Sequence, residues 1–134
     1  MASIAETVQV VAAVIERDAL ILIGQRKRGD RHPLKWEFPG GKVEPGEDPR
    51  DALARELHEE LAIQAVIGEQ IDAYEFQYPH RTPTRLLFFR VRNFTGEPVN
   101  QAFEQIAWDR AENLAAYDFL EGDVDFVKRL SSLL

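Results

Sequence analysis

Apolar and β-branched residues crowd two stretches near the start of the chain, Val8 to Ile15 and Leu20 to Ile23, with the polar Glu16-Arg17-Asp18 between them. Runs of this length read as strands, and the polar break as the turn of a hairpin. Arg26 to Lys35 is dense in basic residues and contains Gly29 and Pro33, which suits an exposed loop. After Trp36-Glu37-Phe38-Pro39-Gly40-Gly41 the spacing of apolar residues changes to that of a helix reaching about Leu61. Asp48 is placed to cap it, Pro49 suits its first position, and Asp51 is placed to complete a variant capping box. Ile63 to Ile67, Ile71 to Tyr78 and Arg85 to Arg92 read as strands, with turns at Pro79 to Pro83 and Asn93 to Pro98. A strand at Gln105 to Trp108, a short acidic loop or helix near Glu112, and an amphipathic helix from about Asp123 to Leu133 complete the chain, the last with Val127, Leu130 and Leu134 on one side. Strands flanking an internal helix, with a second helix at the end, predict an α/β layered fold around a mixed sheet. No repeat or linker divides residues 1–134, so one domain is expected.

Within the central helix, Glu56, Glu59 and Glu60 fall inside an arc of roughly 100°, and Leu53, Leu57 and Leu61 form a stripe roughly 110° away. The leucines give the helix a face to bury, which would hold the acids beside a core. Like charges one turn apart destabilise a helix slightly, and a divalent cation would relieve that cost. Mg²⁺ takes oxygen ligands, keeps several waters and commonly joins one or two protein acids to substrate phosphates. Taken alone, the same acids read first as a solvated face, with Arg55 paired to Glu59, and it is the sequence around them that changes this.

Composition narrows the setting of this chemistry. With 134 residues, 45% of them hydrophobic, the chain can build a continuous core, and the absence of cysteine excludes disulfides and thiolate metal sites. Met1 to Thr7 lacks the basic start and apolar middle of a signal peptide, and no apolar run approaches the ~18 residues of a membrane span. A cytoplasmic protein without membrane partners is expected, as monomer or homodimer. Twenty-three acids against sixteen bases leave a formal charge of −7, which argues against polymeric nucleic acid. A small anion remains a fitting partner where cations gather on the carboxylates.

The segment from Gly41 through Glu47, Arg55-Glu56-Leu57 and Glu59-Glu60 to Ile63 resembles the Nudix box, G-x5-E-x7-R-E-U-x-E-E-x-G-U, with U a bulky aliphatic residue. Every defined position matches except Ala62, where the pattern has glycine. Glycine after a helix end accommodates a left-handed backbone, so Ala62 bears on the cap and removes no ligand. Beyond the box, Trp36 to Lys42 is similar to the segment that enters the site in MutT-like members. The resemblance implies an α/β/α sandwich, bound Mg²⁺ or Mn²⁺, and hydrolysis of a nucleoside triphosphate to monophosphate and pyrophosphate.

The same resemblance makes Glu56, Glu59 and Glu60 the central acids, with the Gly40 carbonyl and the distal Glu104 as further metal ligands. Phosphoryl transfer needs charge neutralisation and a placed water more than covalent help. Glu56 can serve as ligand or as proton acceptor, and sequence does not divide the two. Arg55 is expected to orient a neighbouring glutamate and Glu47 to support it. Arg26 and Arg31 in the basic loop, with Glu37, Phe38, Pro39 and Gly40, are candidate substrate contacts; Lys42 and Arg81 are weaker ones. His32, His58 and His80 share no metal-ligand spacing.

Asp123 aligns with the position that reads the base in MutT-like proteins, where MutT itself has asparagine, and it is equally placed to cap the last helix after Gly122. Ionised it would accept only; protonated it could also donate. 8-oxo-dGTP and related purine triphosphates are the expected substrates, with CTP, dCTP or a modified cytosine triphosphate close behind. Phe38, Tyr78 or Phe119 could stack on the base. Two rival readings are an ADP-ribose-type Nudix hydrolase, disfavoured by short length, and a Nudix-fold binding module without turnover, disfavoured by the retained acids.

Overall fold

The structure is a computed structural model that describes residues 7–134, so the reading of Met1 to Thr7 lies, apart from Thr7, outside the described residues. The long strand β1 (Val8–Arg17) is its axis. Along one edge β1 runs parallel to β7 (Thr84–Val91), in the register Val11↔Leu87. Its other edge is divided: β4 (Gly40–Lys42) pairs with Val10 to Ala12, whereas β2 (Leu20–Gln25) pairs only at Glu16 and Arg17. The strand therefore leaves one neighbour for another midway, and the sheet opens there. β3 (Trp36–Glu37) and β9 (Gln105–Asp109) flank β2, and β6 (Gln70–Phe76) borders β7. β5 (Gln64–Val66) and β8 (Asn93–Thr95) form a separate two-stranded ribbon.

Alternation along β1 builds a core on each face of the sheet. Val11, Ala13 and Ile15 pack with Leu53, Leu57 and Leu61 of α1 (Pro49–Leu61) on one side. Ala12 and Val14 pack with Phe126, Val127 and Leu130 of α2 (Glu121–Leu133) on the other. The expected mixed sheet between helical layers is thus the observed architecture. The α1 leucines are fully buried, each stabilising the packing by about 1.5–3 kcal/mol.

Several local expectations change. Asn93 to Thr95, read as part of a turn, is a strand, because Phe94 lies opposite Ala65 in the ribbon. Trp36–Glu37 and Gly40–Lys42 are strands too short to show alternation. Tyr78 lies beyond the end of β6, and Leu134 is 40% exposed instead of joining the buried side of α2. The acidic stretch near Glu112, by contrast, is the short helix expected there, of 3₁₀ form over Ala111–Ala116.

Asp48 caps α1 through the Arg50 amide (2.8 Å), but at the other end Ala62 takes the left-handed conformation that glycine would adopt freely (φ 59°, ψ 29°). Its N–H still donates to His58 O, so the cap forms at the expense of backbone strain. Ala62→Gly is expected to raise stability by about 1 kcal/mol, the left-handed penalty less the entropy of a more flexible unfolded chain. A shift of the urea midpoint to higher concentration with an unchanged slope would show it; a downward shift would refute the strain.

Candidate active site

The β4–α1 unit supplies the acidic end of the site. Gly40 and Gly41 are required there by close approach. A Cβ on Gly40 would lie 1.9 Å from Val11 O, and one on Gly41 would lie 2.5 Å from the Glu56 carboxyl carbon. The bare backbone lets α1 press its acids onto β4. Gly40 N–H donates to Glu60 Oε1 at 3.0 Å.

Arg55 organises the outer part of this cluster. Its guanidinium forks onto Glu47, with Nε and Nη2 each 2.9 Å from a carboxylate oxygen, while Nη1 donates to Glu56 Oε1 at 2.9 Å and reaches Glu59 at 3.5 Å. Arg55 holds the Glu47 carboxyl down at about 2. Burial instead pushes the Glu60 carboxyl up to about 9, with the Glu37 and Glu56 carboxylates adding to the effect. Glu56 is raised by burial too, against the pull of Arg55. Glu59, by contrast, is exposed.

Among the described residues no three carboxylates or imidazoles converge closely enough to hold a metal ion by themselves. The donor set nevertheless fits one. Glu56 and Glu60 are mostly buried acids, Glu56 adding to the raised proton affinity of Glu60 and Glu59 to that of Glu56, and a cation among them would relieve the repulsion. An ion held by one or two carboxylates and completed by water and phosphate needs no protein cage.

From this end a cleft of about 600 Å³ runs across the opening in the sheet. It brings together Glu60, Gly40, Glu37, Phe38, Arg26, Arg31 and Asp123, residues scattered over nearly a hundred positions of sequence. Pro39 is buried beside them, its carbonyl accepting from Ala13 N–H at 2.8 Å. Lys42 and Arg81 also line the cleft, as do His32 and Tyr78, whose rings meet at 4.6 Å. Glu104 does not reach its wall: the residue is exposed just before β9, its N–H donating to Gln25 O at 2.8 Å. Phe38 and Phe119 are core residues, 3% and 4% exposed, whereas Tyr78 is only partly buried where it lines the cleft.

Arg26 is anchored from two directions. Nε donates to Arg31 O at 2.6 Å and Nη1 to Glu37 at 3.1 Å, which folds the basic loop back over the cleft. Asp123 is not the cap of α2. The helix begins two residues earlier, its capping position falls on Leu120 with no side-chain bond, and Asp123 is 7% exposed inside the first turn. Burial pushes its carboxyl up to about 8, Glu37 adding to the effect, with the Phe38 amide and Arg26 opposing it. Thr82, Thr84 and Leu86 join the lining without having been expected. The alternation of β7 would have placed Thr84 and Leu86 on the Phe88 side of the sheet.

Comparisons with known proteins agree with this geometry. The NUDIX domain family matches residues 6–130. The chain is 36% identical over 126 residues to the CTP pyrophosphohydrolase of Escherichia coli K12, covering 94% of this chain and 93% of that protein. It is 34% identical to the 8-oxo-dGTP diphosphatase of Haemophilus influenzae, covering 92% and 90%. The solution structure of the E. coli ORF135 protein superposes with a TM-score of 0.86 at 35% identity, over 96% of this chain and 91% of that one. Hydrolases of this kind generally need a divalent metal and act on small nucleotides. Fold, acid-bearing helix and relatives together establish that this chain belongs to the Nudix hydrolase family.

Proposed function

We propose that the protein hydrolyses a nucleoside triphosphate to the monophosphate and pyrophosphate with Mg²⁺, Mn²⁺ being able to replace it. The observation that carries this reading is a single cleft lined both by Glu60 and Gly40 of the acid-bearing unit and by Asp123, Arg26 and Tyr78, which sets residues suited to metal and phosphates beside residues suited to a base. Glu56, Glu59 and Glu60 would hold the metal, with the Gly40 carbonyl and Glu104 as further candidates. When bound, the metal neutralises charge on the phosphates and makes water more acidic. Water adds across the α–β phosphoanhydride, and Glu56 would either bind the metal or take up the proton released. Arg55 keeps Glu56 oriented. Arg26, Arg31, Lys42 and Arg81 supply positive charge around the mouth.

8-oxo-dGTP is the favoured substrate, which would make the protein a cleanser of the nucleotide pool and place it in mutation avoidance. Protonated Asp123 offers a donor beside an acceptor, as asparagine would, and suits the adjacent O6 and N7–H of an oxidised guanine. CTP or dCTP is the second reading, supported by the 36% identity to a CTP pyrophosphohydrolase and by the same complementarity to cytosine N3 and its amine.

A product-resolved screen of oxidised and ordinary nucleotides with Mg²⁺, ADP-ribose included, tests both. Monophosphate with pyrophosphate, lost in Glu56→Gln, is the expected outcome. Turnover confined to ADP-ribose would overturn the triphosphate reading, and a CTP rate well above that on 8-oxo-dGTP would replace the first substrate by the second.

A further inference from the structure

The start of α2 is held by two tyrosines, one in β6 and one just beyond its end. The first amides of a helix have no partner within it, and here the capping position is Leu120, which offers no side-chain acceptor. Tyr78 supplies one: Gly122 N–H donates to its hydroxyl oxygen at 2.9 Å. From β6, the Tyr74 hydroxyl donates to the carbonyl of the same residue, Gly122 O, at 2.5 Å. The fit leaves no slack, since a Cβ on Gly122 would stand 3.0 Å from the Tyr78 hydroxyl and 3.3 Å from the Phe76 ring. The next residue is Asp123, buried at the cleft. Tyr78 also packs its ring, tilted by 39°, against His32 of the basic loop.

We propose that Tyr74 and Tyr78 are positioning residues for nucleotide discrimination, gripping Gly122 at its N–H and its carbonyl and so fixing where Asp123 meets the base. The proposal rests on Asp123 facing the base in the reading above. Two hydrogen bonds to one residue fix both the height and the rotation of the first helical turn. Discrimination through a buried polar group depends on placement within a few tenths of an ångström, because a purine and a pyrimidine present their edges at different distances from the sugar and a displaced carboxyl loses its bonds to the two unequally. The ring of Tyr78 transmits the same constraint to the loop that carries Arg26 and Arg31.

Tyr78→Phe removes the hydroxyl and keeps the ring against His32, whereas Gly122→Ala crowds the grip from the other side. Each is expected to change the ratio of kcat/KM between 8-oxo-dGTP and CTP by about 3–10-fold, the worth of one neutral hydrogen bond. The Mg²⁺ concentration giving half the maximal rate should stay as in the wild type. A merely structural role would lower both nucleotides alike, and an unchanged ratio in both variants overturns the proposal. Asp123→Leu, which removes both donor and acceptor at similar volume, separates the two levels. If it lowers kcat/KM on both nucleotides while Tyr78→Phe and Gly122→Ala leave the ratio unmoved, the clamp alone fails; if it leaves both within about threefold of the wild type, the reading of Asp123 fails and the clamp with it.

Discussion

Glu56→Gln is expected to lower kcat by about 10²–10⁴-fold, the usual range for loss of a placed acid or base. The Glu56 carboxyl lies where Gly41 has no Cβ, receives a hydrogen bond from Arg55, and has its proton affinity raised by burial and by Glu59. Glutamine keeps the shape and an acceptor oxygen for Arg55, so packing should survive, but it can neither take up a proton nor bring charge to a metal. Glu59 is far more exposed than Glu56, 57% against 17%, so loss of its charge should be partly made good by water and Glu59→Gln should be the milder change. Measuring kcat with Mg²⁺ beside the thermal midpoint settles the point. Activity within about tenfold of wild type, with the fold intact, would show that Glu56 is neither ligand nor base.

What could be read in the sequence followed from how locally each feature is determined. The acid-bearing helix was legible because a leucine stripe, a capping Asp48 and Pro49 all lie within its own span and agree with one another. β1 and β2 were legible for the same reason. Trp36–Glu37 and Gly40–Lys42 were not, since such short strands exist only through partners far along the chain, Gly24 opposite Glu37 and Val11 opposite Gly41. Asn93–Thr95 has a polar start and a following Gly96 that read as turn, and its strand depends on Gln64–Val66. The residues of the candidate site were named largely by motif and resemblance. Their convergence in one cleft belongs to topology, because β1 exchanges one neighbour for another along its edge. The position of Asp123 illustrates the limit. Aspartate after glycine before an amphipathic run has the local marks of a cap, yet Leu120 N–H donates to Trp36 O at 3.0 Å, which draws the helix start two residues earlier and turns the carboxyl inward.

That inward carboxyl leads to the other large effect, expected in Asp123→Asn as pH is varied. The folded group holds its proton up to about 8, whereas in the unfolded chain it ionises near the ordinary 3.8. Between those values the folded state binds the extra proton, so stability falls as pH rises through the window and stops falling above about 8. The slope from this group approaches at most about 1.4 kcal/mol per pH unit, and its full course amounts to a few kcal/mol. Glu60, pushed up to about 9, acts in the same direction, so the informative quantity is the difference between wild type and variant. Asparagine carries no titrating proton, and its stability relative to wild type should grow from about pH 5 to about pH 8 in metal-free denaturant titrations. Catalysis should report the same proton. While protonated, Asp123 donates and accepts; once ionised it only accepts, and an oxidised guanine or a cytosine loses one of its two bonds. The kcat/KM ratio between such a base and one presenting two donors should therefore fall as pH passes about 8 in the wild type. In Asp123→Asn the ratio should stay flat, since chemistry common to both nucleotides cancels. A ratio that bends at the same pH in both proteins would place the titrating group elsewhere in the cleft.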